Sequence, residues 1–176
     1  DIFKLSSLEK RSWDKSLRRS PKFQTQNYIV FQGAKSFILA KLDEISEQLS
    51  IISQNSKLSI LLLPIGRATG HEDQIALDPL FKMLSNKGVP VAIQDSAHVL
   101  DIMASIAFSK SYIGTSLHGA ITSYSFGHKV CGIVTEKVKK LDNFVSTWMH
   151  EGDFHLSKQT IFAESFINLT KETHNI

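Results

Sequence analysis

The chain has 176 residues, 42% of them hydrophobic and 21% charged, with a formal net charge of +3. This is an ordinary globular composition with enough length to bury a sizeable core, which excludes a disordered tail or a fibrous repeat. The longest apolar run, Ile60 to Ile65, is far too short to span a bilayer, and the single cysteine, Cys131, leaves no internal disulfide. The opening residues Asp1-Ile2-Phe3-Lys4 have neither the basic nor the apolar region of a signal peptide, so a cytoplasmic protein is expected, and one cut from a longer chain.

The charge is uneven. Residues 1–22 hold seven Lys or Arg (Lys4, Lys10, Arg11, Lys15, Arg18, Arg19, Lys22) against three acids, an excess of +4 that leaves −1 for the rest. With no basic stripe elsewhere, this leader predicts a solvated linker over residues 1–26, or the end of a missing N-terminal domain, and no nucleic-acid site.

From residue 27 to 176 strand and helix signals alternate within one domain. Tyr28–Phe31 reads as a strand. Ile38, Leu42, Ile45, Leu49 and Ile52 then recur at spacings of 4, 3, 4 and 3, one continuous helical face. Leu58–Leu63 is a second strand, ended by Pro64 and Gly66. Leu77, Leu80, Phe81 and Leu84 stripe the next helix, which Asn86-Lys87-Gly88 ends. Val89–Ile93 is a third strand, after which Asp95 or Ser96 caps a helix carrying Val99, Met103 and Ile106. A fourth strand at 111–114, a helix over Ala120–Phe126 and a fifth strand over Lys129–Val134 follow. Leu141, Phe144, Val145 and Trp148 mark another helix face, and Phe162, Phe166 and Leu169 the last. Five strands apolar throughout and separated by helices predict an α/β fold, a Rossmann-like parallel sheet with helices on both faces.

Ligands of such sheets bind outside the carboxyl ends of the strands, near the point where strand order reverses. The loops there collect Gln32, Lys35, Arg67, His71, His118 and Lys137 on one rim, with Glu72 and Asp73 as acids. Such a rim suits an anionic small molecule beside something rich in hydroxyls. Gly114 and Gly119 have phosphate-loop spacing, but Ala120 and Ile121 stand where Lys and Ser/Thr are required. No G-x-G-x-x-G follows the first strand, so no nicotinamide or flavin cofactor is expected. His71-Glu72-Asp73 are adjacent and rarely aim at one centre; Asp73 reads as a helix cap, and no metal is expected.

The most informative stretch is GTSLHGAITSYSFG, Gly114 to Gly127, a turn from strand into helix. His118 sits there among small residues and the unpaired N–H groups of a helix start, an anion site with a titratable group inside it. His118 is the candidate catalytic residue. Thr115, Ser116, Leu117 and Gly119 are candidate substrate-binding residues, joined by Gln32, Lys35, Arg67, His71, Glu72 and Lys137.

The run Tyr112-Ile113-Gly114-Thr115-Ser116-Leu117-His118-Gly119-Ala120-Ile121, with Ser125-Phe126-Gly127 behind it, resembles the signature of the polysaccharide pyruvyl transferases. In that family a strand ends in an Arg-Leu-His-Gly type turn, followed by a helix of small residues and a Phe-Gly pair. The Gly66–Asp73 loop and the lysines at 137, 139 and 140 are similar to family features, and the likeness covers roughly residues 28–150. It implies one half of a GT-B-like fold, the C-terminal half of a two-domain enzyme whose missing N-terminal domain completes the cleft. It also implies transfer of a pyruvyl group from phosphoenolpyruvate to two hydroxyls of a saccharide acceptor, forming a ketal in cell-surface or exopolysaccharide biosynthesis. Phosphoenolpyruvate is then a donor substrate and no cofactor is needed; the enzyme works in the cytoplasm or at the inner face of the membrane. Ser116 departs from the pattern, since many members carry arginine there, a bidentate partner for carboxylate or phosphate. Two alternatives stay open: a GT-B glycosyltransferase using a nucleotide sugar, and a non-catalytic binding module of the same fold.

Overall fold

The computed structural model describes residues 5–69, 72–135, 139–158 and 161–171. Seven strands form one sheet: β1 (Leu17–Arg19), β2 (Tyr28–Gln32), β3 (Ser59–Leu62), β4 (Val91–Gln94), β5 (Ser111–Gly114), β6 (Lys129–Val134) and β7 (Phe154–Lys158). Their spatial order is β1-β4-β3-β2-β5-β6-β7. Every neighbouring pair is parallel except β1 with β4. The five strands expected from apolar runs are the inner five. The two additional ones are edges: β1 is Leu-Arg-Arg, and β7 alternates Phe154 and Leu156 with His155, Ser157 and Lys158. A sheet edge faces water along one side, so its strands lack the continuous apolar run that marks a buried parallel strand.

The helices are α1 (Leu5–Glu9), α2 (Lys35–Ala40), α3 (Leu42–Ser56), α4 (Asp73–Asn86), α5 (Val99–Ala107), α6 (Leu117–Ser125), α7 (Lys139–Trp148) and α8 (Phe162–Lys171). They divide between two cores, one on each face. Ile29, Phe31, Ile60, Leu62, Val91, Ile93, Ile113, Cys131 and Ile133 pack with α2, α3, α4 and α8. Tyr28, Val30, Leu61, Ala92, Tyr112 and Val130, the intervening residues of the same strands, pack with α1, α5, α6 and α7. Successive strand residues point to opposite faces, so strands apolar at every position require helices above and below. Each fully buried Leu, Ile or Phe contributes about 1.5–3 kcal/mol, which makes the inner strands the most firmly held part of the chain.

Four local expectations are corrected. The continuous helix over Ile38 to Ile52 is two, α2 and α3, because Lys41 breaks it at φ −139°, ψ 34°. The apolar stripe survives, since both pieces bury it. The cap of α5 is neither Asp95 nor Ser96 but His98, whose Nδ1 accepts the Leu100 N–H at 3.2 Å. Trp148 and Val99, placed on buried stripes by periodicity, are 70% and 62% exposed. The basic leader, finally, is built into the fold. Leu8, Trp13 and Phe23 are buried in the second core, Trp13 stacks on Phe108 at 6.1 Å, and β1 adds to the sheet beside β4. Arg11 pairs with Asp101 of α5, and Arg18 with Asp78 and Asp95, so the leader's charges are spent partly on docking it.

Candidate active site at the switch point of the sheet

Strand order reverses between β2 and β5: the chain leaving β2 leads to β3 on one side, and the chain leaving β5 leads to β6 on the other. Their carboxyl ends, Gln32 and Gly114, lie in register. This is where an open α/β sheet leaves a crevice for ligand.

The turn after β5 is shaped from below. Tyr112 is fully buried, and its hydroxyl lies under the turn, 3.4 Å from both the Gln32 side-chain oxygen and the Ser116 carbonyl. A Cβ on Gly114 would stand 2.6 Å from that hydroxyl, and one on Gly119 only 2.3 Å from it. The phosphate-loop-like spacing of these two glycines therefore has a packing cause. Burial pushes the Tyr112 phenol far above its ordinary value, so it stays neutral.

Gln32, 4% exposed, ties the loops together. Its Oε1 accepts the Ser116 N–H at 2.9 Å and the Thr115 N–H at 3.2 Å. Thr115, also 4% exposed, takes the Ala34 N–H on its hydroxyl at 3.1 Å. Both residues, expected to touch substrate, are buried and frame the turn. Ser116 caps α6: its Oγ accepts the Gly119 N–H at 3.2 Å. Gly119 thus has its N–H engaged, and the backbone donors at this helix start without a partner among the described residues are those of Leu117 and His118. His118 is exposed and makes no hydrogen bond or ion pair with a described residue.

The neighbouring loop brings Asp73 to the same place. Asp73 does not cap α4, whose cap position is Glu72; it closes the 66–73 loop by accepting the Gly66 N–H at 2.8 Å and lies 3.4 Å from the Gln32 amide nitrogen. Burial raises its carboxyl above the ordinary range, opposed by the N–H groups of Gly66, Gln32, Lys35 and Ile65. The Lys35 N–H opens α2, the helix after the central strand. In dinucleotide-binding sheets that helix start takes the pyrophosphate; here the chain's own carboxylate faces it.

Lys35 and Glu72 pair across the rim at 3.0 Å. Arg67 turns toward β4, donating to the carbonyls of Gln94 at 3.2 Å and Ser96 at 2.8 Å. Burial pulls its guanidinium below the ordinary value, against the attraction of Asp95 and Asp73, and its Nε is buried with no partner among the described residues. His71 and Lys137 lie outside the described residues. Cys131 is fully buried, which pushes its thiol up to about 12 and removes it as a nucleophile. Two concavities of 370 and 450 Å³ run along α3 and α8, and neither is lined by residues of the strand-end turns.

The family model of the polysaccharide pyruvyl transferases matches residues 3–136. The chain belongs to the polysaccharide pyruvyl transferase family. The match takes in the docked leader, upstream of the stretch that carries the visible signature, and ends just after β6. No curated protein matches the chain. Among solved structures it is similar to the UDP-GlcNAc 2-epimerase of Methanocaldococcus jannaschii, with a TM-score of 0.64, 15% identity, and 98% of this chain against 45% of that one. The UDP-GlcNAc 2-epimerase of Neisseria meningitidis gives 0.64, 16%, 97% and 43%. The solution structure of ALG13 gives 0.55 and 11%, covering 85% of this chain and 87% of that one. At these identities the likeness is one of fold, and this pyruvyl transferase family chain spans less than half the length of the epimerases. The fold is Rossmann-like and resembles one half of a GT-B architecture. Among the described residues no helix is long and apolar enough to cross a membrane, and no three His, Cys, Asp or Glu side chains gather as metal ligands.

Proposed function

We propose that this chain forms the donor-binding wall of a pyruvyl transferase that moves the pyruvyl group of phosphoenolpyruvate onto two hydroxyls of one sugar. The observation carrying this is the start of α6 in a member of the family: the N–H groups of Leu117 and His118, without a partner among the described residues, beside an exposed imidazole at the switch point. Phosphoenolpyruvate carries a phosphate and a carboxylate, both suited to such donors and to the cations of the rim. The reaction protonates the methylene carbon of the enol, a sugar hydroxyl attacks the resulting oxocarbenium-like carbon, and phosphate leaves as the second hydroxyl closes the ketal. His118 serves as the proton donor or as the partner of the donor's anionic group. The backbone donors hold the anion with fixed dipoles that need no reorganisation during the reaction. Ser116, with its hydroxyl engaged in capping, supplies no charge here, so Lys35 and Lys137 are the cations assigned to the donor. A second domain facing this rim contributes the acceptor surface. The protein works on precursors in the cytoplasm or at the inner membrane face.

The test is a pair of measurements on the full-length protein. Phosphoenolpyruvate raises the melting temperature, and His118→Ala lowers pyruvyl transfer at least ~100-fold while leaving unfolding unchanged, because an exposed side chain contributes little packing. A UDP- or GDP-sugar that stabilises the protein where phosphoenolpyruvate does not would overturn the donor assignment.

A further inference from the structure

We propose that Gln32 and Asp73 form a buried positioning pair that sets the β5–α6 turn and so aims His118. The part of this that concerns activity rests on the reading that His118 serves the reaction.

The orientation of the Gln32 amide follows from its neighbours. Two backbone donors, Ser116 N at 2.9 Å and Thr115 N at 3.2 Å, face one end, so that end is the oxygen. The nitrogen then points at Asp73 Oδ2, 3.4 Å away, and that same oxygen receives the Gly66 N–H at 2.8 Å. Donors and acceptors alternate along the path from Gly66 through Asp73 and Gln32 to Ser116. Both side chains are 4% exposed, so water does not compete for these bonds. Ser116 is the cap of α6, and its position sets the direction in which the helix leaves the sheet and therefore where the next two residues, Leu117 and His118, present their groups. The pair thus joins the loop after β3 to the turn after β5 through the end of the strand between them. An alternating chain of this kind tolerates a swap of its two polar groups but not two acceptors in contact.

Among the described residues, the charged and titratable groups around Asp73 are Arg67 from its own loop, the Tyr112 hydroxyl from β5, and the Lys35–Glu72 pair of α2 and α4. None of them hydrogen-bonds the side chain of Gln32 except the Tyr112 hydroxyl.

The experiment is a double-mutant cycle in the full-length protein, read by hydrogen exchange at the Ser116 amide and by pyruvyl transfer. Gln32→Glu keeps the shape but sets two carboxylates face to face. At pH 8 Ser116 protection and kcat/KM both fall about tenfold or more, and at pH 5 a shared proton restores protection. Gln32→Glu/Asp73→Asn puts the acceptor at 32 and the donor at 73, and recovers both readouts at pH 8 to within about threefold of wild type. Ser116 exchange unchanged in Gln32→Glu at pH 8, or a double variant no better than the single, overturns the proposal. Should Gln32→Glu fail to fold at either pH, the double variant decides: folded with Ser116 protected it supports the pair, and equally unfolded it refutes it. If the exchange cycle behaves as described while no form, wild type included, transfers pyruvyl from phosphoenolpyruvate, the positioning pair stands and the donor assignment falls.

Discussion

Gly119→Ala separates two explanations of a glycine that follows a candidate catalytic histidine. If the glycine serves the close approach of a ligand, alanine weakens binding and leaves stability alone. The structure points instead to Tyr112. A Cβ at position 119 would lie 2.3 Å from the tyrosine hydroxyl, 2.6 Å from Cζ and 2.8 Å from Cε2. Carbon contacts are comfortable near ~3.5–4.0 Å, so the ring or the helix must retreat by roughly 1 Å. Tyr112 is fully buried and its hydroxyl is bracketed by Gln32 and Ser116, so retreat is costly. Overpacking of this kind costs about 1–3 kcal/mol. Alanine recovers at most about 1 kcal/mol of helix propensity, and less in the first turn where Gly119 lies. The expected net loss is about 1–2 kcal/mol, a fall in melting temperature of roughly 2–8 °C for a chain of this length. Urea unfolding of wild type, Gly119→Ala and Gly119→Ala/Tyr112→Phe is the assay. The double variant recovers only part of the loss, because Cζ and Cε2 still clash. Gly119→Ala at or above wild-type stability would refute the packing argument.

Three further outcomes are expected. Ser116→Arg loses the α6 cap at about 1 kcal/mol, seen in the urea midpoint, yet tightens phosphoenolpyruvate binding by calorimetry; unchanged stability would show that the Ser116–Gly119 bond contributes nothing. Asp73 has a folded-state value raised by burial, so its contribution to stability is full below the ordinary aspartate range and is lost as pH rises through the raised value. The stability difference between wild type and Asp73→Asn should therefore decline as pH increases from about 4 and then level off, and a difference flat across that window would contradict the burial. Trp13→Ala should cost about 3 kcal/mol or more by chemical denaturation, since Trp13 is 7% exposed and packed on Phe108 and Tyr28; a loss under about 0.5 kcal/mol would return the leader to the status of a linker.

The five inner strands and most of the helices were legible because their signals are local: apolar runs and 3.6-residue stripes record that both faces of the sheet are covered. The signature around His118 was legible for the same reason, being contiguous from Tyr112 to Gly127. What lay beyond the sequence were decisions made between distant residues. Arg18 and Arg19 read as solvated charges, and only the vacant edge of β4 made a strand of them. Lys41 carries no breaker signal, and the packing of α2 on α4 and of α3 on α8 divided one stripe into two helices. Gln32 and Asp73 stand 41 positions apart and looked like rim residues, one facing substrate and one capping its helix. Periodicity cannot report that a strand-end amide is buried, nor which N–H it satisfies; that depends on which strands become neighbours. Strand order placed β5 beside β2, and that adjacency brought the Gln32 amide under the Thr115 and Ser116 N–H groups of the turn that precedes His118.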